Sequence, residues 1–135
     1  MKIKTYKGKL IQQPHFFILN KGMNTGSPNF KPYANCFVLL AETDKERNAY
    51  YWLCYALWQI GKFRPRLIGS AVPFIHIADL KEVIAEATIK ANKKPMQYKE
   101  SLSLLMDIDR KCEKLTEQLK LIGKLKKTLL NRVLE

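Results

Sequence analysis

Residues 35–62 read NCFVLLAETDKERNAYYWLCYALWQIGK, and the fold class turns on the change of hydrophobic period inside them. Residues 35–42 form a continuous apolar run with polar ends, the mark of a strand buried on both faces. Thr43 or Asp44 can then accept the free amides at a helix start, and Gly61 can supply the left-handed residue at its end. Between these caps Ala49, Leu53, Leu57 and Ile60 make an apolar stripe, while Tyr50, Tyr51, Trp52, Tyr55 and Trp58 spread aromatic surface around the cylinder. Such a helix is expected to be covered on most sides. Displayed beside cations, the same rings would instead stack on unpaired bases.

Towards the N-terminus, HFFIL (residues 15–19) has the length and composition of a strand, and KIKTY (residues 2–6) alternates as an edge strand does. Residues 20–35, NKGMNTGSPNFKPYAN, concentrate Gly, Pro, Asn and Ser and read as one long loop. Loops of that length inside a compact domain are commonly functional, and this one offers Lys21, Asn24, Thr25, Ser27, Asn29 and Lys31. A mobile hairpin connection is the plainer reading.

Towards the C-terminus, Pro65 and Pro73 exclude a helix through FRPRLIGSAVPFIHI (residues 63–77), leaving two short strands or a strand and a turn. A helix follows, with Asp79 as its expected N-cap and Leu80, Val83, Ile84 and Ala87 on its inner face. Pro95 ends it or breaks it from the next. From Met96 to Leu134 a further helix can run almost unbroken. Tyr98, Leu105, Ile108, Cys112, Leu115, Leu119, Ile122, Leu129 and Val133 recur at alternating steps of three and four, with Ser101 and Lys126 as exceptions, which defines a heptad seam. Such a helix would extend about 55 Å, so part of the seam needs a partner. The partner is a second copy, another subunit or the chain's own preceding helix, and self-association through Leu105, Ile108, Leu115, Leu119, Ile122 and Leu129 is the favoured expectation. The expected architecture is therefore α+β: a recognition-like domain over residues 1–95 with a small, mostly antiparallel sheet and packed helices, then a coiled-coil-like helix over residues 96–135 for dimerisation or spacing.

Charge bounds the partners. The chain has 24 Lys and Arg against 12 Asp and Glu, a formal charge of +12, which attracts polyanions. Before Glu42 there are six lysines and no acid, and Lys62, Arg64 and Arg66 form a second acid-free group. The terminal helix mixes its charges as a solvated face does. No apolar run approaches the roughly 18 residues of a membrane span, and MKIKTYKGKL lacks a secretory apolar segment, so no membrane partner and a cytoplasmic location are expected. Cys36, Cys54 and Cys112 lie far apart among hydrophobic neighbours, as reduced, packed thiols.

Catalytic signals are weak. His15 and His76 lack a carboxylate or thiol at a spacing that suggests a base, a nucleophile or a zinc ligand, and each reads as a core or strand-edge histidine. Glycine-rich phosphate motifs are missing. The two acids of Asp107–Ile108–Asp109 diverge on a helix. No catalytic residue, metal site or cofactor is expected. Lys21, Lys31, Lys62, Arg64 and Arg66 are expected to supply phosphate contacts, and Asn24, Thr25, Ser27, Ser70 and the turn arginines to be able to reach base edges.

The run CFVLLAE, the aromatic helix YYWLCYALWQ, LIGSAVPFIHIADLKEV and the terminal LLMDIDRKCEKLTEQLKLIGKLKKTLLNRVL together resemble the target-recognition half of type I restriction-modification specificity subunits. The resemblance is carried by Gly69, Ser70, Pro73, Phe74, Ile75, Asp79, Leu80 and Lys81, then by Ile108, Asp109, Leu125, Lys126, Lys127, Leu129 and Leu130. It implies duplex DNA as ligand, a long helix as spacer, a methyltransferase subunit as partner, and a two-fold dimer that rebuilds two recognition domains. The usual Pro-rich step into the spacer is replaced here by VIAEATIKANKKPMQY. A protein-interaction adaptor of a mobile element, using the aromatic helix and the seam, and a single-stranded nucleic-acid binder are the rival expectations.

Overall fold

A computed structural model describes all residues, Met1–Glu135, as two compact units, Met1–Lys93 and Lys94–Glu135. The first unit contains β1 (Lys2–Thr5), β2 (His15–Leu19), β3 (Pro28–Asn29), β4 (Cys36–Leu40), α1 (Asp44–Gln59) and α2 (Ile77–Lys93); the second is α3 (Pro95–Leu134). The fold is α+β, with a four-stranded antiparallel sheet ordered β1-β4-β2-β3.

Strand order follows apolar content. All five residues of β4 are buried, so β4 takes a central position, and HFFIL pairs beside it with Phe17 opposite Val38. The outer strands are short and carry lysine or proline, which protects a free edge from pairing with another chain. The expected loop over residues 20–35 is thus interrupted: Pro28 and Asn29 return to pair with Ile18 and Phe17. Pro28 lacks an amide proton, and an edge position tolerates that.

The two faces of the sheet are covered differently. Ile3, Phe16, Ile18, Phe37 and Leu39 alternate onto one face, and Phe16 meets Tyr51 of α1 edge-on at 5.5 Å. The helical core adds Leu53, Cys54 and Leu57 from α1 and Leu80, Val83 and Ile84 from α2. Phe17, Cys36, Val38 and Leu40 make a second cluster on the opposite face, against which Tyr6, Ile11 and Tyr33 pack from loops and His15 lies edge-on to Phe17 at 5.2 Å.

Helix α1 begins as expected at Thr43, whose Oγ1 accepts from the Glu46 amide at 3.1 Å, while a Glu46 carboxylate oxygen accepts from the Glu42 amide at 2.8 Å. Its end folds back at Gly61 (φ 74°), with the Lys62 amide donating to the Leu57 carbonyl and the Gly61 amide to the Trp58 carbonyl. Its buried face differs from the expected stripe: Leu53, Cys54 and Leu57 are inside, whereas Ala49 and Ile60 are exposed. Tyr51, Trp52, Tyr55 and Trp58 are only half-buried, so α1 is not covered on most sides. The rings cover one another instead, edge to face.

Two further expectations are corrected. Residues 63–77 form no regular strand: a 3-10 turn at Arg64–Arg66 precedes a single bridge between Ile68 and Phe74. Helix α2 starts at Ile77 rather than after Asp79, because buried Ile75 donates its amide to the Asn20 carbonyl at 3.1 Å and keeps the chain extended until just before the helix. Asp79 therefore lies in the first turn.

In the second unit none of the 40 residues of α3 is buried. Twelve of the chain's twenty exposed large hydrophobic side chains sit on it, including Ile108, Leu115, Leu119, Ile122 and Leu129, while Leu105 is half-buried. Cys112 is exposed as well, unlike the expected packed thiol; Cys36 and Cys54 are buried. Burial pushes the Cys36 thiol up and the Cys54 thiol far above the ordinary thiol range, so neither forms the reactive thiolate near neutrality. A thiol reagent applied to the native protein is expected to modify Cys112 alone, with Cys36 and Cys54 labelled only after denaturant unfolds the first unit; mass spectrometry of the labelled peptides reads the result.

Candidate nucleic-acid interface

The end of the sheet where β2 finishes and β4 begins collects three segments from distant parts of the sequence. The Leu19 amide donates to the Ser27 carbonyl and the Gly26 amide to the Leu19 carbonyl, which closes residues 20–26 into a tight excursion. That excursion is tied to the later corner: the Gly22 amide donates to the Pro73 carbonyl at 2.7 Å, and Lys21 bridges Phe74. Phe63, 2% exposed, fills the space beneath, and a Cβ built on Gly26 would collide with its ring. Gly26 also has φ 98°, so both the backbone and the packing require glycine there.

The two segments expected to read nucleic acid thus border one another. Asn24 from the first and Arg64 from the second line a cavity of about 120 Å³, together with Met23, Trp58, Gln59 and Leu67. Its rim offers one guanidinium and two carboxamides and no carboxylate, the donor and acceptor set that suits guanine and adenine edges. Gln59 is oriented by its own hydrogen bond, donating from Nε2 to the Tyr55 hydroxyl at 3.2 Å. Lys21, Lys62 and Ser70 are exposed on the same three segments. No acid occurs in residues 47–78, and the carboxylates that pair with a cation of this corner are Asp79 and Glu82 of α2, both on Arg66.

Not all the expected residues belong to this surface. Thr25 is 4% exposed and its hydroxyl donates to the Gly22 carbonyl at 2.6 Å, so it shapes the excursion and borders the cavity from within rather than standing on the exposed surface. Ser27 is half-buried with its Oγ 3.3 Å from the Tyr33 hydroxyl. Arg66 Nη1 lies 3.3 Å from Asp79 and 2.9 Å from Glu82, so its charge is matched by α2 and it acts as a strut between the corner and that helix. Lys31 is exposed but sits beside Phe30, away from the cavity. Phe30 stacks on Tyr51 with centroids 4.4 Å apart, and the Arg47 guanidinium lies over the Phe30 ring, 5.4 Å from its centroid, as a cation–π partner. From Tyr51 the edge-to-face contacts run through Trp52 and Tyr55 to Trp58 at the cavity, a continuous aromatic ladder along α1.

Gln59 carries no site signal in the sequence, and Trp58 stands out only as one of several rings on the aromatic helix. The signal for them is positional: a helix that ends in a fold-back at Gly61 brings its last-turn side chains against whatever segment comes next.

Fold and charge together define a basic α+β domain joined to a long amphipathic helix. The chain belongs to a family of unknown function, DUF6943, which matches residues 3–132 and so spans both units. No curated protein and no solved structure matches the chain. No helix is long and apolar enough to cross a membrane.

Replacing Gly26 by alanine is expected to lower the unfolding free energy by about 2–5 kcal/mol, adding a left-handed backbone penalty to overpacking against Phe63. Urea unfolding of the wild type and the variant measures it. Gly22→Ala, where a Cβ meets open space, should cost only the backbone part.

Proposed function

We propose that this protein is a non-enzymatic DNA-binding protein that engages duplex DNA through the loop cluster around Asn24 and Arg64 and acts as a homodimer joined through α3. The observation that carries the reading is the convergence of two acid-free basic segments on one cavity whose polar side chains are Asn24, Thr25, Gln59 and Arg64. Lys21, Lys62 and Arg64 supply phosphate contacts; the two carboxamides supply groups able to distinguish base edges. The resemblance to the recognition half of type I specificity subunits favours duplex DNA as the ligand, and a methyltransferase subunit is the further partner it would imply.

Dimerisation follows from the unmet apolar surface of α3. Leu119 at 71% exposure and its neighbours on the seam form a stripe far larger than a solvated helix leaves uncovered, and a second copy of the same helix covers it with the same spacing. Two recognition units on one dimer would contact two half-sites. A single-stranded ligand is the second reading, favoured by the aromatic ladder that leads from Phe30 to Trp58.

Fluorescence anisotropy with duplex and single-stranded oligonucleotides over a salt series tests the reading. Lys21→Glu combined with Lys62→Glu and Arg64→Glu is expected to abolish duplex binding; a milder Lys21→Gln, Lys62→Gln, Arg64→Gln set should reduce the slope of log K against log salt by about 2.7 per bound protomer. Arg66→Gln should leave the salt slope unchanged, since its guanidinium serves Asp79 and Glu82 rather than a phosphate, while the two carboxylates it frees weaken affinity modestly. Unchanged binding in the charge-reversed protein removes the loop cluster from the proposal.

The dimer has its own test. Sedimentation should show the wild type as a dimer and a Leu115→Asp, Leu119→Asp, Ile122→Asp variant as a monomer, and labelling of Cys112 should slow as wild-type concentration rises. A wild type that remains monomeric at high concentration contradicts it.

A further inference from the structure

The sheet face turned away from α1 and α2 carries a second site, unrelated to the loop cluster. Lys2 and Lys4 pair with Leu40 and Val38, so their side chains project on the same side as Phe17, Val38 and Leu40 rather than towards the helices. The chain then leaves β1, crosses this face and returns to β2. Tyr6 packs edge-on against Phe17 at 4.8 Å, and Ile11 closes over the same cluster. Between the strand and the returning loop lies an open cavity of about 920 Å³. Clefts of about 300–1,000 Å³ are those that hold small molecules.

Two chemistries meet in its lining. Val38, Leu40, Ile11 and the ring of Tyr6 make an apolar floor and wall, and Leu10 stands at the rim 92% exposed, a large aliphatic side chain with no protein cover. Lys4, Lys7 and Lys9 line the same cavity, none is in an ion pair, and no carboxylate accompanies them. Three ammonium groups held around one cleft repel one another, and a bound anion relieves that repulsion while leaving the apolar wall to a hydrocarbon or ring. A purely hydrophilic ion would leave Leu10 and Ile11 unused, and a neutral apolar ligand would leave the lysines unanswered.

We propose that this cavity binds a small amphipathic anion, with a carboxylate or phosphate head among Lys4, Lys7 and Lys9 and an aliphatic or aromatic body against Ile11, Leu10 and Tyr6. The site is independent of the DNA-binding reading: it lies on a different face and shares no residue with the loop cluster.

Isothermal titration of the full chain with decanoate and decyl phosphate tests it, with decyltrimethylammonium and inorganic phosphate as the matched controls. Saturable binding of one decyl anion per chain is expected, at least tenfold tighter than either control. Lys4→Glu, Lys7→Glu, Lys9→Glu should reverse the preference towards the decyl cation, and Leu10→Ser, at an exposed position that folding does not need, should weaken both anions severalfold. Because the leucine stripe of α3 also attracts alkyl chains, the Leu115→Asp, Leu119→Asp, Ile122→Asp variant is titrated in parallel and should bind as the wild type does. Equal binding of the decyl cation, loss of binding in the α3 variant, insensitivity to both the lysine and the Leu10 substitutions, or no saturable binding at all would each overturn the proposal.

Discussion

Burial of β4 on both of its faces is the constraint from which the rest of the first unit follows. Five consecutive apolar residues, Cys36–Leu40, cannot be left facing water on either side, and each face finds a different solution. Two helices cover Phe37 and Leu39 and bring the end of α1 to the end of the sheet, where Phe63 supports the excursion at Gly26. Loops alone cover Cys36, Val38 and Leu40, and a cover made of loops is incomplete. Both candidate sites lie where one of these solutions meets an acid-free stretch of sequence: the loop cluster beside the helical layer, the lysine cavity beneath the loop layer.

Much of this was legible before any coordinates. The change of period at Thr43 marks a strand followed by a helix, and the capping hydroxyl and the fold-back glycine stand where local chemistry puts them. The antiparallel sheet, the long terminal helix and its regular apolar spacing follow from the same kind of local signal. What was missed depends on partners distant in sequence. Pro28 and Asn29 carry no strand signature and are held in the sheet by β2. The start of α2 is set by Ile75 bonding to Asn20, which no local pattern around Asp79 reveals.

The candidate site was legible to a similar degree and for the same reason. Composition marks two segments that the structure brings together, but not which of their polar groups remain available. Thr25 and Arg66 look like ligands in a sequence and turn out to be committed, one to a backbone carbonyl and the other to two carboxylates of α2. Conversely, Gln59 has no distinguishing sequence context and reaches the cavity only because the helix ends beside it. The aromatic helix illustrates the balance: its rings are neither a packed core nor a bare platform, since each shields the next while leaving an outer face open.

The reading as a DNA-binding dimer joins a head with fourteen basic and six acidic residues to a helix with a surplus of apolar surface. Charge explains attraction to a polyanion of any sequence, whereas the two carboxamides around one small cavity are what would make the contact selective. Selection of the full chain against a random duplex library at physiological salt is the most direct measurement of that difference. The account predicts enrichment of one sequence arranged as two related half-sites; recovery of duplexes with no shared sequence, or no recovery above a charge-matched control protein, would contradict it.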